Sequence, residues 1–235
     1  FSGIHRPVVL YSVPCAAIED ITVVTDIGGK AGVVKLSVRA SGDTGSGTAV
    51  LEGDGETVSA SLTFRNGVAE ATLHVPRARL WSPQDPFLYD LTVNTEADVY
   101  TLPVGIRTIK VTDTQFLING KPVRLDGFGR HEDFYASVKG LNLPLLIKDY
   151  QLMRRLGAAS YRTSHYPYSE EEMQLADWMG MLIIDEIPAV SLQFHQADLV
   201  PGLLSQCLKD IDELIARDKN HPSVIMWSVA NEPLP

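Results

Sequence analysis

The sequence predicts two different folds in one chain: an antiparallel β-sandwich in the first half and a parallel α/β arrangement in the second. Residues before about Lys110 are rich in Val, Thr, Leu and Gly, and apolar and polar positions alternate as in half-buried strands. From Thr112 onward, short apolar runs alternate with segments of helical periodicity. That second pattern is typical of parallel strands joined by helices.

Composition limits the class of protein. The chain has 235 residues, 45% of them hydrophobic and 21% charged, as in folded proteins. A net charge of -9 argues against broad contact with nucleic acid or an anionic membrane, and no stretch approaches the roughly 20 apolar residues of a membrane span. Cys15 and Cys207 are too few for a disulfide framework, so the cellular compartment stays open. Because the chain begins at Phe1 in strand-like sequence, we expect it to be part of a longer polypeptide.

The clearest β signal is the segment ETVSASLTFRNGVAEATLHV, residues 56–75. Asn66 and Gly67 in its middle favour a two-residue turn, because both turn positions need a positive φ. The predicted hairpin pairs four apolar residues of one strand with four of the other: Phe64 with Ala69, Leu62 with Ala71, Ala60 with Leu73 and Val58 with Val75. The other predicted strands are IEDITVVTDI, GVVKLSVRA, LYDLTVNT and VYTLPVGIRTIKV. Together they favour an antiparallel sandwich of about 90 residues that carries no functional motif.

Four apolar segments of the second half are predicted as parallel strands. They are VRLDGFGRH, AASYRTSH, MLIIDEIP and the segment that begins at Ser223. MLIIDEIP is continuously apolar before its acidic residues, as expected of a strand buried on both faces. Three helices are predicted between these strands. The arrangement describes the first half of a (β/α)8 TIM barrel, or much of an open sheet.

Each predicted helix has a recognisable end or apolar stripe. The first, LLIKDYQLMRRLG, has three stripe residues and a terminating glycine: Leu146, Tyr150, Met153 and Gly157. The second opens with Ser169 and Glu172 as an S-x-x-E capping box and ends at Gly180. The third has four apolar residues at helical spacing: Leu204, Leu208, Ile211 and Ile215.

Polar residues follow each of the four predicted parallel strands. The clusters are Arg130-His131-Glu132-Asp133, Arg162-Thr163-Ser164-His165, Asp185-Glu186 and Asn231-Glu232. In a barrel, reactive groups come from the carboxyl ends of several strands. A single cluster could be structural, but four at equivalent positions predict a site at this end of the sheet.

Several chemistries are compatible with these clusters. His131, His165, Asp185 and Glu186 are possible metal ligands, although neither H-x-H nor H-E-x-x-H occurs. The sequence contains no G-x-S-x-G motif to support nucleophilic Ser or Cys catalysis. GFGRHED lacks the third glycine of a phosphate-binding loop. Carboxylate acid/base chemistry fits best, because Glu232 ends a buried strand beside an amide that could bind a sugar hydroxyl. Glycosidic bond hydrolysis needs two carboxylates, and only Glu232 is assigned on this basis.

With these residues identified, the whole chain resembles the β-glucuronidases of glycoside hydrolase family 2. FSGIHRPVVLYSVP looks like the end of that family's N-terminal sugar-binding-like β domain. YTLPVGIRTI and FLINGKP look like the passage from its immunoglobulin-like domain into its barrel. GFGRHED, YRTSHYPYSEE, IDE and RDKNHPSVIMWSVANEP are similar to its barrel strands one to four, in that order. The resemblance implies three domains: residues 1–16, an immunoglobulin-like β-sandwich at 17–110 and the first half of a TIM barrel at 111–235.

The resemblance also implies a role for each matching residue. Glu232 matches the general acid/base of a retaining exo-glycosidase, and Asn231 matches the asparagine that binds the sugar 2-hydroxyl. His165 and His131 match histidines of the sugar site, and Arg162 matches an arginine that supports the nucleophile. We expect Glu232 to be partly desolvated beside a second carboxylate, which would keep it protonated at working pH. No metal and no cofactor are implied.

The resemblance places the rest of the site outside this sequence. The nucleophile glutamate belongs to the seventh barrel strand and would lie past Pro235, together with the basic residues that recognise the glucuronate carboxylate. An aspartate from the N-terminal domain would lie before Phe1. The expected partners are therefore a β-glucuronide, the downstream remainder of the barrel and further copies of the protein in a homo-oligomer.

Two other functions remain open. A β-galactosidase or related exo-glycosidase of the same family would share the N-E and S-H-Y-P elements. A carbohydrate-binding or scaffold module would keep the fold without the chemistry. The relative rates on β-glucuronides and β-galactosides distinguish the first alternative from a β-glucuronidase. The activity of a Glu232→Gln variant distinguishes the second alternative from an enzyme. Arg130 and Asp185 are interpreted as residues that only tie loops to the barrel.

Overall fold

The structure is a computed structural model that describes residues 4–42, 44–196 and 198–234. The first three residues of the predicted 1–16 segment lie outside the described residues. The chain divides into two compact units: a β unit, Val9–Val123, and a barrel unit made of Phe1–Val8 with Arg124–Pro235. No helix in the described ranges is long and apolar enough to cross a membrane.

The β unit is a sandwich of two antiparallel sheets, as the alternating pattern predicts. One sheet has the order β1-β2-β5 and is formed by Ile18–Gly28, Ala31–Ala40 and Val68–Val75. The other has the order β4-β3-β6-β7, with β3 at Ser46–Gly53, β4 at Glu56–Thr63, β6 at Tyr89–Thr95 and β7 at Val99–Val104. Strand β3 was not predicted.

Alternate residues of the two sheets form one shared hydrophobic core. Val34, Leu36 and Val38 point inward from β2, and Ala49 and Leu51 meet them from β3 in the same cluster. Each fully buried Val or Leu side chain contributes about 1.5–3 kcal/mol relative to exposure, so this core holds the sheets face to face.

The predicted hairpin of residues 56–75 is wrong in its pairing and right in its turn. Asn66 and Gly67 have φ values of 53° and 77°, and the flanking Arg65 and Val68 exchange two backbone hydrogen bonds of 2.9 and 3.2 Å. Beyond this turn the strands separate into different sheets: β4 pairs with β3, and β5 pairs with β2. The apolar residues of β4 and β5 therefore face each other across the core instead of lying side by side, because alternation specifies a face and not a neighbour.

The predicted strand VYTLPVGIRTIKV is also interrupted. Strand β7 ends at Val104, and β8, Ile109–Val111, begins a separate sheet. Strand β8 pairs with β9, Phe116–Ile118, which pairs with β10, Lys121–Pro122. These short strands end the β unit just before the barrel unit begins.

The barrel unit contains four parallel strands in the order β11-β12-β13-β14, as predicted. The strands are Gly127–Arg130, Ser160–Thr163, Leu182–Glu186 and Val224–Ser228. The helices between them are α1, Leu143–Arg155, α2, Glu170–Met179, and α3, Val200–Asp218. Because the strands are parallel, all four carboxyl ends lie at one edge of the sheet.

The helix ends follow the sequence signals with one correction. Gly180 ends α2 with a left-handed φ of 67°, and the Oγ of Ser169 accepts a 3.2 Å hydrogen bond from the Glu172 N–H. The Glu172 side chain does not return to Ser169 as a capping box requires, because it is buried in an ion pair. Glu132 instead accepts the Ser169 N–H at 3.3 Å.

Helix α3 faces the sheet with only part of the predicted stripe. Leu204 and Leu208 are 50% and 55% exposed, whereas Leu214 is buried. Ile211 of the predicted stripe is partly buried in the same cluster as Leu214, and so is Cys207. The helix carries apolar residues on more than one face, so periodicity alone could not select the face that meets the sheet.

A buried polar network connects the first two strands and helices. Arg130 at the end of β11 contacts the carboxylates of Asp149 at 2.5 Å and of Glu172. Tyr161 donates to Glu172 at 2.9 Å, and the Tyr150 and Tyr161 hydroxyls lie 2.6 Å apart. Burial raises the pKa of Glu172 to about 7, although Arg130 favours its charged form. Arg130 therefore has the structural role that the sequence suggested.

Arg6, near the amino-terminal end of the described residues, contacts two loops of the barrel unit. Arg6 Nη2 contacts Glu132 Oε2 at 3.0 Å and donates to the Pro167 carbonyl at 2.8 Å. Glu132 also accepts a hydrogen bond from the Ser169 N–H, so Arg6 contacts the loop between β12 and α2 directly at Pro167 and indirectly through Glu132.

Candidate active site

The predicted site residues lie at the carboxyl edge of the parallel sheet. Arg162 is in β12, His165 follows that strand by two residues, and Asn231 follows β14 by three. Glu186 ends β13 between them. The strand order brings residues from three separate parts of the chain into one polar cluster.

Glu186 lies at the centre of this cluster and is fully buried. Its Oε2 accepts from Arg162 Nη1 at 2.5 Å and from Ser228 Oγ at 2.6 Å, while its Oε1 lies 2.6 Å from His165 Nδ1. Burial alone would raise the pKa of Glu186, but the hydrogen bonds from Ser228, His165 and Arg162 lower it below the ordinary value. Glu186 is therefore an ionised carboxylate that uses both of its oxygens.

Asn231 is fixed by both its backbone and its side chain. Its N–H donates to the Ala189 carbonyl at 2.8 Å, and its carbonyl accepts from the Ser191 N–H at 2.9 Å. The Oδ1 atom accepts a 3.0 Å hydrogen bond from Arg162 Nη1. Because the amide oxygen faces Arg162, the amide NH₂ group is directed elsewhere and can donate to a ligand.

The two predicted histidines lie next to each other. The His131 and His165 rings are nearly perpendicular, with centroids 5.4 Å apart, and the Tyr166 ring lies 6.4 Å from His131. Tyr166 is held in turn by the Glu132 N–H, which donates to its hydroxyl at 3.2 Å. This arrangement forms an aromatic wall beside the Glu186 cluster.

Glu232 directly follows Asn231 and carries an exposed side chain. Its φ of 48° is in the left-handed region, which is uncommon for residues other than glycine and occurs at functional turns. Because this side chain is exposed, the described residues do not supply the desolvation that we expect around a general acid. The carboxylate of Glu232 is nevertheless adjacent in the chain to the residue that Arg162 orients.

The neighbouring Asp185 points to the other side of the sheet, because strand residues alternate in direction. It accepts a 3.0 Å hydrogen bond from Thr163 Oγ1 and is fully buried. Burial and the nearby Asp218 carboxyl raise the pKa of Asp185 to about 8. Asp185 is thus a neutral structural group that binds β12, whereas the sequence interpretation had it tie loops to the barrel.

Two residues of the cluster were not among the sequence-predicted site residues. Glu186 was visible only as a possible metal ligand, and Ser228 was not identified. The signal for Glu186 was an acidic pair at the end of an apolar strand, but only the register shows which acid faces the site. Within the described ranges, no group of three or more His, Cys, Asp or Glu residues could hold a metal ion.

Comparison with known proteins identifies the class. Residues 109–235 match the family model described as Glycosyl hydrolases family 2, TIM barrel domain, and residues 16–107 match the model described as Glycosyl hydrolases family 2. The chain therefore belongs to glycosyl hydrolase family 2. Its four-stranded parallel sheet is part of the TIM barrel domain of that family.

The individual relatives described below are all named as β-glucuronidases. A β-glucuronidase of Rattus norvegicus is 46% identical over 246 residues, which cover 100% of this chain and 37% of the relative. A β-glucuronidase of Paenibacillus borealis is 42% identical, with 99% and 41% covered. The structure of Ruminococcus gnavus β-glucuronidase in complex with uronic isofagomine has a TM-score of 0.87 at 35% identity, with 94% and 39% covered. The chain thus spans about two fifths of the length of these relatives.

Proposed function

We propose that the protein containing this chain is a retaining exo-glycosidase that hydrolyses β-D-glucuronides, with Glu232 as its general acid/base. The observation that carries the proposal is the cluster in which Arg162 joins Glu186 to Asn231, directly before Glu232. The similarity to several β-glucuronidases supports the choice of sugar.

A retaining mechanism requires a second carboxylate roughly 5 Å from the acid. Glu186 does not fit this role, because it is buried and both of its oxygens accept hydrogen bonds. We therefore propose that the nucleophile comes from the part of the barrel beyond this chain, which the relatives contain. Those same regions would supply the groups that recognise the glucuronate carboxylate and desolvate Glu232.

The other predicted residues have roles consistent with their positions. Asn231 would donate its free amide hydrogens to the sugar 2-hydroxyl, where a strengthened hydrogen bond stabilises the transition state. Arg162 would lower the pKa of the nucleophilic carboxyl group through its positive charge. His165 and His131 would contact the sugar from the aromatic wall.

Three finer features complete the proposal. The sandwich at residues 17–110 is interpreted as immunoglobulin-like, supported by its two antiparallel sheets and single core. Residues 1–16 and 111–235 would belong to the preceding β domain and to the barrel domain. The protein is also proposed to assemble as a homo-oligomer, which light scattering of the purified full-length protein would measure.

The test uses the full-length protein and two nitrophenyl substrates, a β-glucuronide and a β-galactoside. Preferential cleavage of the glucuronide supports the proposal, and preference for the galactoside assigns the related exo-glycosidase. If neither substrate is cleaved, the protein is not a glycosidase of this specificity, and a binding module is favoured. The anomeric form of the first product, measured by NMR, determines whether the configuration is retained.

A Glu232→Gln variant tests the assignment of the acid. General acid catalysis contributes about 100–10,000-fold, so the variant should lose that much kcat on a poor leaving group and less on nitrophenol. Glu213→Gln on the exposed face of α3 is the matched control and should keep its activity. A loss below tenfold on the poor leaving group would exclude Glu232 as the acid.

A further inference from the structure

Glu186 receives three side-chain hydrogen bonds from different parts of the barrel unit. Arg162 comes from β12, His165 from the loop after it, and Ser228 from the end of β14. The backbone of Glu186 is fixed as well, because its N–H donates to Thr163 Oγ1 at 2.8 Å. A carboxylate held at so many points has little freedom to move, and it restricts the groups that bind it.

The partners of Glu186 distinguish it from an ordinary buried ion pair. In the Arg130–Glu172 pair both side chains are buried, at 7% and 2% exposure, and connect helices to strands. Around Glu186, the carboxylate is buried while Arg162 and His165 remain 32% and 23% exposed. Glu186 therefore anchors the inner ends of side chains whose other surfaces are accessible.

The contacts dictate what those side chains can present. His165 Nδ1 donates to the ionised Glu186, so this bond fixes the orientation of the ring and leaves Nε2 on its other side to face a ligand. Arg162 uses Nη1 to bind Glu186 and Asn231 together, which turns the Asn231 oxygen inward and its NH₂ group outward. One buried charge thereby sets the direction of a histidine, an arginine and an amide.

We infer that Glu186 is a positioning residue for the reaction, acting through Arg162 and His165 without touching substrate. This inference rests on the proposed function for its assay and on the hydrogen bonds above for its geometry. Partners that orient metal-ligating side chains change activity by about 10–100-fold when they are replaced, and we expect an effect of similar size here.

Glu186→Gln is the most informative variant, because it keeps the shape of the side chain. The amide oxygen can still accept from Arg162 and Ser228, but the amide NH₂ then faces His165 Nδ1. His165 Nδ1 must then accept a hydrogen bond from this amide, so the proton of the neutral ring moves to Nε2. Nε2 therefore faces the ligand as a hydrogen-bond donor. We expect kcat/KM to fall about 10–100-fold, mostly through kcat if His165 acts in the transition state.

Glu172→Gln is the matched control, a buried carboxylate in the same unit with an arginine partner. It should lower the thermal midpoint at least as much as Glu186→Gln while keeping kcat/KM within about threefold. A double-mutant cycle adds a second readout: Glu186→Gln and His165→Ala should be strongly non-additive in kcat/KM, because one acts through the other.

All rates are measured on full-length protein over a panel of nitrophenyl glycosides. The wild-type profile over the panel tests the proposed function, and the ratio of variant to wild type on the best glycoside tests Glu186. The inference is overturned if the kcat/KM of Glu186→Gln lies within twofold of wild type. It is also overturned if the loss of kcat/KM in Glu186→Gln and Glu172→Gln simply follows the decrease in their thermal midpoints. If Glu186→Gln does not fold, Glu186→Asp decides, since it should lose activity by about tenfold and full activity would contradict positioning.

Discussion

Replacing Arg130 with Met is expected to destabilise the barrel unit, and the effect should depend on pH. The change leaves Glu172 buried at 2% exposure without its cation, while its bond from Tyr161 remains. Removing one member of a buried ion pair typically costs about 3–5 kcal/mol. For a chain of 235 residues each kcal/mol lowers the thermal midpoint by about 2–4 °C, so we expect a decrease of about 6–20 °C at pH 8.

The sign of the pH dependence follows from Glu172. Its folded-state pKa of about 7 exceeds the ordinary value of 4.5, so the folded protein binds this proton more tightly. The associated stability is fully present below pH 4.5 and is lost as the pH rises through 7, a total of about 3 kcal/mol. Without Arg130 the pKa rises further, so Arg130→Met should cost little at pH 5 and most at pH 8.

Scanning calorimetry of the full-length wild type and variant at pH 5, 6.5 and 8 measures both effects. Arg130→Met combined with Glu172→Gln should recover part of the loss at pH 8, because no buried charge is then left unpaired. A midpoint decrease below 2 °C at pH 8, or one that is equal at all three pH values, would refute this reasoning.

Two further predictions concern single residues. Asp185→Asn should flatten the fall of the thermal midpoint between about pH 4 and pH 8. The pKa of Asp185 is raised from 3.8 to about 8 in the folded state, so the stability from its bound proton is present below about pH 4 and is lost as the pH rises to 8. A variant midpoint that falls as steeply as the wild-type midpoint in this range would contradict a neutral Asp185. Gly67→Ala should cost about 1–2 kcal/mol of unfolding free energy, since φ is 77° and the new Cβ would lie 3.0 Å from the Ala40 carbonyl oxygen. Gly45→Ala, with no atom within 4 Å of its Cβ, is the control, and equal effects of both changes on the midpoint would argue against backbone strain at the turn.

Local features of the fold could be predicted from sequence where neighbouring residues determine them. The Asn66-Gly67 turn, the Ser169 cap and the Gly180 stop each depend on a few adjacent residues, and all three are present. The partner of β4 could not be predicted, because alternation assigns its apolar side to the core without naming the strand beside it. The inward face of helix α3 was predicted only in part for a related reason, since Leu204 and Leu208 fit the helical period yet face outward.

The candidate site was predictable as a location but not as a network. Arg162, His165 and Asn231 were identified because each lies at or just after the carboxyl end of a strand that the sequence reveals. Glu186 required the relative register of β12, β13 and β14, which brings Arg162 opposite Ile184 and Ser228 opposite Glu186. Only that register shows that Glu186, and not Asp185, points toward the other site residues.

The contacts of Arg6 impose an order on the folding of the newly made chain. Arg6 is synthesised before the β unit, but the Pro167 carbonyl that it binds lies 161 residues later in the sequence. At about 5–20 residues per second, synthesis of that interval takes roughly 8–30 s. All strands of the β unit are made within this interval, so the β unit can complete its core while Arg6 still has no partner. Arg6 is therefore made before the β unit but docks only after the strands of that unit have been made.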